Sequence, residues 1–178
     1  ETWCNVGGAQ PHTVTHILRQ QLQFIYETKW HEQINGDVTN SHKLRTYCTF
    51  KYHFGLENYL KQNIPVNKRK NFSKLRISAH TLAIETGRYT RPKTPVEMRK
   101  CQNCTLDVVE DEKHFLLDCE LYGAIRSKLF QDITSVYGNF TNMNRDDKFK
   151  YIMTLQNNSI CQPVINFVHD AFAKRYEY

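Results

Sequence analysis

Four residues stand out by type and spacing: Cys101, Cys104, His114 and Cys119, in the order Cys-x2-Cys-x9-His-x4-Cys. Two cysteines separated by two residues bend around one ion, because the turn between them aims both sulfurs inward. His114 and Cys119 stand five apart. At the start of a helix that spacing leaves both at one end, within reach of an ion held by the turn. Three thiolates and one imidazole satisfy tetrahedral zinc. All four positions are then filled by protein, so the expected site is closed and structural, with no place for a catalytic water.

The other reactive side chains form no comparable set. Cys4, Cys48 and Cys161 read as core or incidental residues. Six cysteines would allow three disulfides, but three of them cluster beside a His at ligand spacing, which points to metal binding and a reducing compartment, nuclear or cytoplasmic. The N-x-S/T triplets starting at Asn71, Asn103, Asn139 and Asn157 read as chance matches in an Asn-rich chain. His12 and His16 are four apart with no carboxylate motif beside them, which suits surface or packing roles. His80 could touch a phosphate or pack. Asp146-Asp147 resembles a helix start, where acids favour the dipole. Glu110, Asp111 and Glu112 read as solvated. No Gly-rich phosphate loop, nucleophilic triad, polymerase aspartate pair or nuclease acid cluster occurs. The chain is therefore expected to be no enzyme by itself.

The elements that must hold the four ligands read as mostly helical, with few Gly and Pro and long 3.6-period stretches. Val14, Ile17, Leu18, Leu22, Ile25 and Trp30 give an amphipathic helix over 12–34, broken by the NGD at 35–37. Ser41 is a candidate N-cap for a second helix reaching about residue 62, interrupted at Gly55. A third helix spans 67–84 and is ended by Gly87; a basic extended linker follows at 88–95. The Cys101–Cys104 turn leads to helices beginning at 111–119 and at 121–137, then to 146–155 and 163–176. The expected architecture is a mostly α fold: an N-terminal segment and helix over 1–40, then a helical domain over 41–178 built around a small CCHC zinc-binding turn and helix at 99–125. A length of 178 residues suits one domain plus an arm, and such a chain can bury a core without disulfides.

Charge is unevenly placed. Net charge is +6, but residues 61–100 hold eleven Lys and Arg against two acids, Glu85 and Glu97, and the rest of the chain is net acidic. One segment thus carries the whole positive excess, which suggests a polyanion partner. Arg69, Lys70, Lys74, Arg76, Arg88, Arg91 and Lys93 are the expected contacts to an RNA or DNA backbone. Tyr89, and Phe72 unless it packs in the core, could stack on bases. Mean hydropathy is −0.63, and no run of eighteen apolar residues exists, so no transmembrane helix and no membrane partner are expected. No secretory signal pattern is read. The first residue is Glu rather than Met, which reads as a fragment or processed product.

The run LRISAHTLAIETGRYTRP, then KCQNC, then EDEKHFLLDCELYGAIRSKLF, resembles the zinc-binding region downstream of reverse transcriptase in LINE-type (non-LTR) retrotransposon polyproteins. The matching positions are Leu75, Arg76, Gly87, Cys101, Cys104, His114, Leu116, Cys119, Tyr122 and Arg126, and the resemblance covers about 70 to 130. It implies nucleic-acid binding during target-primed reverse transcription, with an attached or associated reverse transcriptase doing the chemistry. It also implies that the chain is a fragment or a domesticated derivative of such a polyprotein. The competing expectation is a zinc-stabilised helical domain that binds protein, through its acidic 105–120 face or its aromatic 47–60 face.

Overall fold

The computed structural model describes residues 11–35 and 43–175, with the side chains of Pro11, His12 and Asn35 set aside. The expected roles of Cys4, Ser41 and the NGD turn, and the pairing of His12 with His16, lie outside the described residues. The described chain is mostly helical and has no strand; one antiparallel bridge joins Lys100 to Val109. No helix among the described residues is long and apolar enough to cross a membrane.

The chain divides at residues 42 and 43. The first unit contains α1, Pro11–Asn35, whose residues Ile17, Leu18, Leu22 and Ile25 are exposed. The second unit contains α2 (Val66–Arg76), α3 (Ala83–Thr86), α4 (Glu112–Leu117), α5 (Gly123–Val136), α6 (Arg145–Thr154) and α7 (Asn158–Arg175). Its centre is α7. Ile160, Cys161, Val164, Ile165, Val168, Ala171 and Phe172 are all buried, a stripe wide enough to pack on both α2 and α5. Facing residues include Phe72 and Leu75 of α2 and Leu129 and Ile133 of α5, while Ile152 and Met153 of α6 join the same core. Phe72 thus packs in the core and does not face solvent.

Four expectations change. Residues 43–62 form no helix, only short 3-10 turns at Tyr47–Thr49 and Asn58–Lys61. Their aromatic side chains do not share a helix face. Instead Tyr47, Phe50 and Tyr59, with Phe72, surround the Arg76 guanidinium at 4.7–5.8 Å. Next, α2 stops at Arg76 because Ser78 adopts a left-handed conformation (φ 53°), and the Ala79 N–H closes back on the Lys74 carbonyl at 2.8 Å. The 88–95 segment is a closed loop, not an extended linker: the Thr94 N–H reaches the Gly87 carbonyl at 3.1 Å. Arg99, buried, holds it shut by donating to the carbonyls of Ile84 (2.7 Å) and Thr94 (2.8 and 2.9 Å). A Cβ on Gly87 would stand 2.7 Å from the Arg99 side chain, so the position takes only glycine without displacement. Lastly, α7 begins at Asn158, before Pro163, since the Asn157 side chain accepts the Ser159 N–H at 2.9 Å and the proline removes only one interior hydrogen bond.

Candidate metal centre

The Cys-x2-Cys turn sits at the tip of a short ribbon. The Cys101 N–H donates to Val108 and the Glu110 N–H to Arg99, each at 2.9 Å, and the bridge between Lys100 and Val109 lies between them. Asp107 takes φ 51° at the return, a conformation that Asp tolerates better than most residues. The Asn103 N–H lies 3.4 Å from Cys101 Sγ, which favours a thiolate there. From the other side, α4 is started by Asp111, whose carboxylate accepts the His114 N–H at 2.7 Å. That cap fixes the helical turn from which His114 projects. Cys119 follows just past the helix end. Its carbonyl and that of Leu116 are both held by Arg126 of α5, the latter at 2.9 Å. Tyr122 is buried edge-on against Phe115 at 4.9 Å.

The four ligand atoms all lie within 4.8 Å of one another and could hold one metal ion. Cys101 Sγ is 3.9 Å from Cys119 Sγ, and Cys104 Sγ is 3.5 Å from His114 Nε2. Ligands around a tetrahedral ion, at about 2.3 Å for sulfur and about 2.0 Å for nitrogen, stand roughly 3.5–3.8 Å apart. The donor set suits such an ion, and these two pairs already stand close to its ligand spacing. Cys101, Cys119 and His114 are buried and Cys104 half-buried. Burial pushes the Cys101 and Cys119 thiols up and the His114 imidazole down. His114 Nδ1 is buried with no hydrogen-bond partner, contrary to the usual arrangement in which the second ring nitrogen of a metal ligand donates to an acceptor. The five described cysteines are all free thiols.

Glu110, Asp111 and Glu112 are expected to be solvated; instead Glu110 and Glu112 are each 2% exposed and Asp111 is half-buried. Glu110 accepts from the Ala83 N–H (2.7 Å) and from Arg175 (2.9 Å). Glu112 accepts from Arg45 (3.0 and 3.1 Å), Ser78 (2.8 Å) and His80 (2.9 Å). Burial alone would raise the Glu112 carboxyl, but the hydrogen bond from His80 and the Arg45 charge outweigh it and hold it at about 2. His80 is thereby engaged at both nitrogens, since its Nδ1 accepts the Leu82 N–H at 3.3 Å. It is a packing residue and cannot reach a phosphate.

The basic segment is only partly a surface. Arg76, expected at a phosphate, is 2% exposed and donates to Glu57 (3.0 Å) and to the Met153 carbonyl (2.7 Å). Arg69 is half-buried and donates to the Leu60 carbonyl at 2.8 Å. Arg88 is half-buried 3.6 Å from Glu85. Lys70, Lys74, Arg91 and Lys93 remain exposed, as does Tyr89, at 71%. Spacing alone did not mark Glu110, Arg126 and Arg175 as supports of this turn; for Arg126 the motif ending at Tyr122 and Arg126 was the available signal. Compared with known protein families, curated proteins and solved structures, the chain matches none.

Proposed function

We propose that this chain is a zinc-stabilised nucleic-acid-binding module that performs no chemistry itself. Zinc, held by Cys101, Cys104, His114 and Cys119, is the ion that suits three thiolates and an imidazole with no open position. Its role is to lock the 101–119 turn and helix to the segment before it. The resemblance to the region downstream of a non-LTR reverse transcriptase supports the same reading, with an associated polymerase supplying catalysis.

The observation that carries the proposal is the way charge is matched. The carboxylates of Glu57 and Glu110 are paired inside the protein with Arg76 and Arg175, and those of Glu85 and Glu112 share Arg45. They therefore do not cancel the exposed ammonium and guanidinium groups of Lys70, Lys74, Arg91 and Lys93, which stay in water and are free to replace counterions on a phosphate backbone. Tyr89 offers an exposed ring beside them in sequence for a base to stack on.

Fluorescence anisotropy against single-stranded RNA, single-stranded DNA and duplex DNA over a salt series tests this. Each phosphate contact contributes roughly 0.7–0.9 to the slope of log affinity against log salt, so Lys70, Lys74 and Arg91 changed together to Ala should lower it by about two units with metal content unchanged. The protein-binding alternative draws on the exposed Tyr52, Leu56, Leu106 and Val108. It is favoured if the native protein shows no salt-dependent binding to any of the three probes.

A further inference from the structure

The last turns of α2, the loop after it and the end of α7 enclose a cavity of about 230 Å³, lined in part by Asn71, Lys74, His80, His169, Phe172 and Ala173. It is separate from the metal centre. None of its lining residues is acidic. Its volume falls below the roughly 300–1,000 Å³ typical of pockets for whole drug-sized ligands. That volume is enough for a single heteroaromatic ring.

Its walls are preorganised. His80 is held between the Leu82 N–H and Glu112. The Asn71 side chain meets His169 Nδ1 at 3.0 Å. Phe172 stacks on Phe115 with centroids 4.8 Å apart and planes 28° from parallel. An aromatic ring and small apolar groups thus share the cavity with the Asn71 amide and the His169 imidazole, which can hydrogen-bond a base edge. Lys74 adds an exposed cation in the last turn of α2. Both nitrogens of His80 are occupied, so the cavity holds no free base at that position.

We propose that this cavity takes one unpaired base of a bound single strand, with the adjoining phosphate on Lys74. The proposal rests on the nucleic-acid reading above and sharpens it: the partner is single-stranded. Splayed-out bases held against aromatic rings and read at their edges are the usual means of single-strand recognition.

The test uses the metal-loaded full chain and four probes: an oligothymidylate strand, an abasic strand of equal length, a duplex of equal length and free thymidine monophosphate. Ala173→Leu fills the cavity from an exposed helical position and leaves every charge in place. It should weaken oligothymidylate binding about tenfold or more, with abasic and duplex binding unchanged. Lys74→Met is the second variant, in case the first fails to fold, and should weaken the oligothymidylate more than the duplex. Unchanged oligothymidylate binding by the variants, or equal weakening on all strands, overturns the cavity assignment while leaving the nucleic-acid reading standing. Binding of the free monophosphate as tight as that of the strand overturns the assignment to a strand. Absence of binding by the native protein to every strand overturns both readings.

Discussion

Arg175, in the last turn of α7, donates to Glu110 at 2.9 Å, and Glu110 accepts from the Cys101 thiol at 3.7 Å. The final helix is thus tied to the metal turn through one buried carboxylate. That carboxylate also receives the Ala83 N–H and the Asn103 side-chain amide, so it joins α3, the ribbon and α7.

Removing the arginine leaves a buried negative charge beside thiolates. Arg175→Met should therefore cost about 3–5 kcal/mol of stability. It should also weaken metal affinity roughly 10- to 100-fold, as loss of outer partners commonly does. Thermal melts and competition with a chromophoric chelator read the two effects. A melt and an affinity both equal to those of the native protein would remove the proposed link.

Metal uptake should release protons. Burial raises the Cys101 and Cys119 thiols, so without an ion they stay protonated at neutral pH. The thiolate is the ligand, and each bound thiol must therefore shed its proton. The sign follows: affinity rises with pH and falls as the solution is acidified. Calorimetry in buffers of different ionisation enthalpy should show protons leaving on zinc binding. Chelation, or Cys104→Ser, should loosen 99–125 and lower the melting temperature, because structural zinc contributes on the order of 10 kcal/mol in small sites. A melt that chelation leaves unmoved would sink the structural role.

Arg76 should govern stability and not salt dependence. Its guanidinium is buried among four rings and paired with Glu57. Arg76→Met should cost about 3–5 kcal/mol by leaving Glu57 without its partner. Arg76→Lys should recover little of this, since an ammonium cannot donate to Glu57 and the Met153 carbonyl in the same fork. The salt slope of binding to DNA should stay as in the native protein. A slope lower by about one unit, with no loss of stability, would return Arg76 to the surface.

The Cys/His group that could hold a metal ion, the mostly helical character and the helices at 12–34, 121–137 and 146–155 were legible in the residues, because each rests on local information. A Cys-x2-Cys turn, a stripe repeating every three to four residues and an Asp-Asp start all act within a few positions of themselves. The helix start read at Asp146-Asp147 is such a signal: α6 begins at Arg145, with the Asp147 N–H donating to the Asn144 side chain at 2.8 Å.

The fate of the charged residues was decided by distance in space. Nothing near Arg76 in sequence announces that Phe50, 26 positions earlier, and Met153, 77 later, close over it. Nothing near Glu110 announces Arg175, 65 positions on. By sequence alone residues 61–100 form one basic block; in the folded chain Arg76 and Arg99 turn inward, and Lys70, Lys74, Arg91 and Lys93 turn outward. A buried charge is tolerable only where packing brings it a partner, and such partners come from remote segments. Local sequence therefore set which side chains could bind a metal, and tertiary packing set which charges face water.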